Sequence, residues 1–149
     1  MNEFIVGLDN GGTANKFTVM DRDGHYLIDD LIELPSRVTD GPGAALAALQ
    51  DAFEAALATA GIERSQVLGV GFDSPGPASA DGVLSSKGAT NFAHRDWWGF
   101  DYRTALERLL QLPVVYSNDT NAAALYAHHR HFGPVAGERS SVAAIVGTG

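Results

Sequence analysis

Phe4-Ile5-Val6-Gly7-Leu8-Asp9-Asn10-Gly11-Gly12-Thr13 is the stretch around which the rest of the chain can be interpreted. Its first five residues form a short apolar run that predicts a buried strand. An acid, two glycines and a hydroxyl follow, and residues 16–21 again have the pattern of a strand. The stretch therefore predicts two paired strands joined by a glycine-rich turn.

The residues of this turn suit phosphate binding. Because Gly11 and Gly12 have no Cβ, a bulky anion could approach the backbone N–H groups, and Thr13 could donate a hydrogen bond to a phosphate oxygen. Asp9 would repel a bare phosphate, so its position there requires a cation between the two, for which Mg²⁺ is the expected ion. The alternative is a plain hairpin whose turn needs glycine for positive φ. The stretch alone leaves both interpretations open.

The composition indicates one globular domain, or one lobe of a larger protein. With 149 residues, of which 45% are hydrophobic, the chain is long enough for a substantial core. The formal charge of −8 argues against nucleic acid or an anionic membrane as a partner. The chain has no cysteine, which excludes disulfides and thiolate metal sites. No signal peptide or membrane-spanning stretch is recognisable, so we expect a cytoplasmic protein.

Hydrophobic periodicity predicts alternating strands and helices along the rest of the chain. Residues 25–34 continue the extended pattern as a third strand. A helix that ends at Gly61 is then predicted, because apolar residues recur at steps of three and four. These residues are Leu46, Leu49, Phe53, Leu57 and Ala60.

Two strand–helix pairs and a last strand follow. The strands are predicted at residues 67–72, 114–116 and 141–146. Asp101 is expected to cap the helix that contains Leu106, Leu109 and Leu110. The next helix is predicted to turn four residues inward: Ala122, Leu125, Tyr126 and Phe132. The predicted fold is α/β, with the order βββαβαβαβ around a mixed sheet.

Candidate functional residues follow the strands. Asp73-Ser74-Pro75-Gly76-Pro77 forms a rigid loop at a strand end, where α/β proteins often bind ligands. At the next strand end one of Asn118, Asp119 and Asn121 is expected to cap a helix. Asp119 could also act as a general base, and the Asn118 amide could hold a hydroxyl. Gly147-Thr148-Gly149 directly follows the last predicted strand, so we expect a truncated lobe whose cleft needs a second wall.

Two groups of residues have simpler explanations. The aromatic residues near the middle of the chain could stack on a sugar, but plugging the edge of the lobe is favoured. They are Phe92, Trp97, Trp98 and Phe100. His128 and His131 have helical metal-ligand spacing without an evident further ligand, so the histidine-rich helix is predicted to present a solvated face.

Taken in order, these segments resemble the N-terminal lobe of a ROK-family sugar kinase, the bacterial glucokinase-like group, over nearly all of the chain. Asp9-Asn10-Gly11-Gly12-Thr13 is similar to its first phosphate motif. Gly71-Phe72-Asp73-Ser74-Pro75-Gly76-Pro77 is similar to its Pro-Gly-Pro loop, and Asn118-Asp119-Thr120-Asn121-Ala122-Ala123 to its Asn-Asp-x-Asn-Ala-Ala segment. Asn91 lies where the family has an Asn-x-x-x-Trp sugar loop. The resemblance implies an actin-like, ribonuclease-H-like ATPase fold with two lobes.

The resemblance also implies ATP-dependent phosphorylation of a hexose hydroxyl. Glucose is the family's commonest substrate, and fructose, mannose, N-acetylmannosamine and allose are its rivals. Asp119 would accept the proton of the attacking hydroxyl, and Asn91, Asn118 and Gly76 would contact the sugar. Asp9 would act through the Mg²⁺ of Mg-ATP. The residues that would face the phosphates are Gly11, Gly12, Thr13, Gly147, Thr148 and Gly149.

The chain departs from the family pattern at two positions near the phosphates. Asn10 stands where the family usually has an aliphatic residue, and Ala14 where Lys or Asn is common. A non-catalytic sugar-binding or sugar-sensing module is therefore the alternative, although the presence of both Asp9 and Asp119 favours a kinase. A repressor of this family is disfavoured by the acidic charge and by the early first strand.

The remaining expectations concern what the 149 residues would lack by themselves. They would hold half of a sugar site and half of an ATP site, so we expect this lobe alone to be inactive or nearly so. The family's zinc motif would lie beyond residue 149, and zinc is not supported within this chain. A homodimer, if formed, would use the missing lobe.

Overall fold

The computed structural model describes residues 3–86 and 92–144. Within them the order of elements is βββαβαβα, as the periodicity predicts. Residues 141–144 of the predicted last strand are irregular, and its remainder lies outside the described residues. The elements are β1 (Phe4–Asn10), β2 (Ala14–Asp21), β3 (Ile32–Pro35), α1 (Pro42–Ala60), β4 (Val67–Ser74), α2 (Tyr102–Leu110), β5 (Val114–Asn118) and α3 (Asp119–Phe132).

The five strands form one mixed sheet in the order β3-β2-β1-β4-β5. β1, β2 and β3 pair antiparallel, whereas β1, β4 and β5 pair parallel. The carboxyl ends of the three parallel strands therefore lie at the same edge of the sheet. This topology brings together the strand ends at which the sequence concentrates its polar residues.

One face of the sheet packs against α1 and α2. Side chains of a strand alternate between faces, and β1 turns Val6 and Leu8 into this covered face. Of the predicted inward residues of α1, Leu49, Phe53 and Leu57 are buried. The helix ends at Gly61, which adopts a φ of 66° as the predicted C-cap.

α2 is capped at its first turn and buries one side in the core. The predicted cap forms, because the Asp101 side chain accepts a hydrogen bond from the Thr104 backbone N–H at 3.0 Å. Leu106 and Leu110 are fully buried, as is Tyr102 at the start of the helix. The preference for plugging over sugar stacking is confirmed for Phe92 and Trp97, which are buried, whereas Trp98 is half exposed.

The prediction for the inward side of α3 is wrong. Leu125 and Tyr126 are 60% and 54% exposed, and the structure has no fully buried residue in this helix. α3 contacts β4, β5 and residues 133–138, and its Leu125 and Tyr126 side chains line the open cleft beside the second face of the sheet. His129 and His131 are exposed as predicted, whereas His128 hydrogen-bonds the Ser141 hydroxyl at 2.7 Å.

None of the helices in the described part of the chain combines the length and apolar character that crossing a bilayer requires.

Candidate active site

A row of polar side chains crosses the second, open face of the sheet near the carboxyl ends of the parallel strands. Asp9 on β1 is the direct register partner of Lys16 on β2 and of Asp73 on β4. Asp73 in turn pairs with Ser117 on β5. Because register partners on neighbouring strands point to the same side, these four side chains share one face.

Asp73 is the central member of this row, and reasoning from the sequence alone did not select it. Burial raises the pKa of Asp73 to about 8, and the charge of Asp9, a hydrogen bond to Asp9 and the charge of Asp119 act in the same direction. Lys16 opposes them in part. The Oδ1 atom of Asp73 is buried and has no hydrogen-bond partner among the described residues. An acid directly after an apolar strand was the only signal in the sequence.

The β1–β2 turn has a shape that the sequence only partly predicts. The two strands form an antiparallel hairpin, closed by a hydrogen bond from the Gly11 N–H to the Ala14 carbonyl at 2.9 Å. Gly11 does not adopt a positive φ, so the reason given for the plain-hairpin alternative fails at this position. Glycine is needed there because a Cβ would lie only 2.8 Å from the Ala14 oxygen.

Asn10 points away from the site. It is fully buried on the covered face, whereas its neighbour Asp9 is on the open face. The Asn10 side chain hydrogen-bonds Tyr102 and Asn15. The departure from the family pattern at position 10 therefore lies in the core and not among groups that could touch a phosphate.

The β5–α3 junction brings together two of the predicted sugar-binding residues. The Asn118 side chain donates a hydrogen bond to the Gly76 carbonyl at 3.0 Å, and Gly76 has a φ of 90°. The Asn118 Oδ1 atom also accepts from the Thr120 backbone N–H at 3.1 Å, so Asn118 is the helix cap. One side chain thus caps α3 and holds the Pro-Gly-Pro loop against β5.

Asp119 begins α3 beside this cap. Its Oδ1 atom accepts hydrogen bonds from the backbone N–H and the hydroxyl of Thr120, at 2.6 and 3.2 Å. The other carboxylate oxygen of Asp119 has no hydrogen-bond partner among the described residues. The charge of Asp119 acts on Asp73, which indicates that the β4 and β5 strand ends form one electrostatic cluster.

The open face forms a cleft of about 720 Å³. One end is polar and contains Asp9, Lys16, Asp73 and Ser117. The other end is apolar and is lined by Met20, Leu31, Val115, Leu125 and Tyr126 among others. Four predicted site residues, Asn91, Gly147, Thr148 and Gly149, lie outside the described residues.

Comparison with known proteins gives this arrangement a context. The model of the ROK family matches residues 5–149 of the chain. A glucokinase of Halalkalibacterium halodurans is 31% identical over 125 residues, which are 83% of this chain and 36% of that protein.

Solved structures agree. A ROK hexokinase from Thermus thermophilus superposes with a TM-score of 0.69 at 32% identity, over 85% of this chain and 38% of the other. A ROK-family glucokinase from Streptomyces griseus, solved with glucose and AMPPNP, gives a TM-score of 0.58 at 29% identity, over 87% and 37% of the two chains. The chain spans a little over a third of the length of these relatives. Its fold is that of the ROK kinases, an actin-like ATPase fold, and the chain belongs to the ROK family.

Proposed function

We propose that the complete protein transfers a phosphoryl group from ATP to a hydroxyl of a hexose, with glucose as the first substrate to test. The observation that supports this best is the convergence of three polar strand ends on one edge of the sheet. Phosphoryl transfer requires mainly positioning, electrostatic stabilisation and one base, and this edge offers groups for each of them.

In this proposal Asp119 is the general base. A carboxylate can accept the proton of an attacking hydroxyl when it lies within hydrogen-bond reach. The Thr120 hydrogen bonds fix the orientation of one Asp119 oxygen and leave the other for the sugar. Asn91, Asn118 and Gly76 would hold the sugar hydroxyls. The bond between Asn118 and Gly76 supports this assignment, because it keeps the two groups adjacent.

The residues of the β1–β2 turn would bind the nucleotide phosphates. Gly11, Gly12 and Thr13 would face them, and Gly147, Thr148 and Gly149 would begin the second phosphate motif.

The donor set at Asp9 fits Mg²⁺. This ion prefers hard oxygen ligands, which the carboxylates of Asp9 and Asp73 can offer, and the buried Asp73 Oδ1 atom lacks a hydrogen-bond partner. When bound with ATP, Mg²⁺ would neutralise phosphate charge that Asp9 would otherwise repel.

The first experiment is sugar-dependent ADP release by the complete gene product with Mg-ATP and a panel of hexoses. We expect turnover with glucose or another hexose, and a decrease in kcat of about 10²- to 10⁴-fold in Asp119→Asn. Asp51→Asn, a change of an exposed acid on α1, is the matched control. Full turnover by Asp119→Asn would refute the assignment of the base.

The second candidate is a non-catalytic sugar-binding or sugar-sensing module. The inward position of Asn10 weakens the sequence argument for it, because this departure removes no phosphate-facing group. Titration calorimetry separates the two functions. Binding of a hexose without binding of ATP or AMPPNP would favour the module. A kinase would bind both the hexose and the nucleotide.

A further inference from the structure

Three fully buried polar side chains form a hydrogen-bonded network beneath the β1–β2 turn, and we name Asn10, Asn15 and Tyr102 the Asn–Tyr network. The Tyr102 hydroxyl donates to Asn10 Oδ1 at 2.9 Å, and Asn10 Nδ2 donates to Asn15 Oδ1 at 2.6 Å. Asn10 and Asn15 are register partners at the end of the hairpin, so the network spans the base of the turn.

Tyr102 also contacts several aromatic rings that pack on the covered face of the sheet. Its ring contacts those of Phe72 and Trp97 with centroids 4.9 Å apart in both cases. It also contacts Phe92 at 6.4 Å. Phe92 directly follows Asn91, the predicted sugar-loop residue. One side chain therefore touches both the base of the turn and the segment that follows Asn91.

Packing alone does not explain this arrangement. Val6 and Leu8 precede Asn10 on the same face of β1, so an apolar residue would continue the pattern and fill the site. Buried polar groups must lose their water, and a matched apolar pair is often as stable as a buried hydrogen-bonded pair. Here the Asn15 Nδ2 atom has no partner among the described residues, which increases that cost. Hydrogen bonds are directional, so they fix the orientation of the turn relative to Tyr102, which apolar packing would not do.

We propose that the Asn–Tyr network is a positioning device, in which Tyr102 and Asn10 set the β1–β2 turn against the segment that follows Asn91. The network would align the turn proposed to bind phosphate with Phe92, the residue after the predicted sugar-binding Asn91. The name of the ligand at the turn rests on the proposed function, whereas the mechanical link is a property of the fold. A displacement of about 1 Å between reacting groups can reduce a rate by two orders of magnitude, so such alignment matters for transfer.

Amide hydrogen exchange tests the link without any activity measurement. In the complete gene product we expect Tyr102→Phe, which removes only the hydroxyl, to accelerate exchange of the Gly11 amide, which bonds the Ala14 carbonyl, about tenfold. Exchange in the interior of α1 should stay within about twofold of the wild type. The matched control is Tyr116→Phe, since the Tyr116 hydroxyl bonds Ser74 at 3.0 Å and its ring also contacts Phe72. It should leave exchange of the Gly11 amide unchanged.

A double-mutant cycle tests whether the effect passes through Asn10. In an Asn10→Leu background, Tyr102→Phe should no longer accelerate exchange of the Gly11 amide. Equal acceleration in both backgrounds would overturn the proposal. So would unchanged exchange at the turn in Tyr102→Phe, or an increase spread evenly over the whole chain, which would indicate a merely structural residue.

Kinetics provide the functional readout. In Tyr102→Phe we expect KM for ATP to rise about three- to tenfold well below the melting temperature, a misalignment of the turn being the cause. A simple loss of folded protein would lower the rate without changing this KM. An unchanged KM for ATP, together with accelerated exchange at the turn, would overturn the alignment role. A wild type that transfers no phosphate to any hexose would refute the proposed function, while the exchange cycle would still decide the link.

Discussion

The two faces of the sheet are made by the same alternating strands and have opposite characters. On the covered face β1 presents Val6, Leu8 and Asn10, all buried, and the one polar side chain is satisfied by other buried groups. On the open face the same strand presents Gly7 and Asp9, beside a carboxyl with an unpartnered oxygen. Neighbouring residues of one strand therefore serve different purposes: those on the covered face stabilise the fold, and those on the open face supply the polar groups of the candidate site.

The largest expected effect concerns the covered face. Phe53→Ala removes a fully buried ring from α1 and should lower the free energy of unfolding by about 3–5 kcal/mol. Val115→Ala on the open face, where Val115 is 74% exposed, should change it by less than about 0.5 kcal/mol. Denaturant unfolding of both variants measures the difference. Similar losses in the two variants would mean that the open face is covered in the complete protein.

A smaller effect is expected at Asp73, where the sign depends on pH. Because burial and the neighbouring acids raise the pKa of Asp73 to about 8 from the ordinary value of 3.8, the folded state retains a proton that the unfolded state loses. Stability should therefore fall as the pH rises from about 4 to about 8, and then level off. Asp73→Asn cannot ionise and should abolish this slope.

The size of this effect can be estimated. A tenfold change in proton affinity corresponds to about 1.4 kcal/mol, and water in the open cleft screens part of the interaction. We expect Asp73→Asn to be more stable than the wild type by about 2 kcal/mol at pH 8, and nearly equal at pH 4. Unfolding curves across this range are the measurement, with Asp51→Asn as the control. The assignment would be contradicted if the stability of the wild type rose between these pH values. Asp51→Asn would then show the same rise, and Asp73→Asn would show none.

Local patterns predicted most of the fold and the strand ends of the site. The hairpin, the course of α1 to Gly61 and the Asp101 cap all depend on residues within a few positions of each other. What failed depends on distant partners. The pKa of Asp73 is raised by its burial and by the acids Asp9 on β1 and Asp119 on α3, and Asn10 is satisfied by Tyr102, which is 92 residues away in the sequence. The periodicity of α3 predicted burial for Leu125 and Tyr126, which the described residues leave more than half exposed.

The smallest expected effect is at the β5–α3 junction, where the Asn118 side chain hydrogen-bonds the first turn of α3 and the distant Gly76. Asn118→Ala removes the cap of α3 and the bond to the Gly76 carbonyl, and should cost about 1 kcal/mol. Asn118→Ser keeps a capping oxygen but cannot reach Gly76 as the amide does, so it separates the two contributions. Amide exchange in the first turn of α3 reports the cap, and exchange at Ser85, whose N–H donates to the Pro77 carbonyl at 2.9 Å, reports the loop.

If Asn118→Ser protects the first turn of α3 as the wild type does, while exchange at Ser85 becomes faster, the cap and the loop are independent. The position of the Pro-Gly-Pro loop then depends on Asn118. A role of Gly76 at the sugar would require the amide of Asn118, because another helix-capping side chain would not hold the loop. Equal exchange at Ser85 in all three proteins would instead mean that residues 75–77 hold their own conformation, as two prolines around a glycine at a φ of 90° would allow. The amide of Asn118 would then be available to a sugar hydroxyl without loss of the loop.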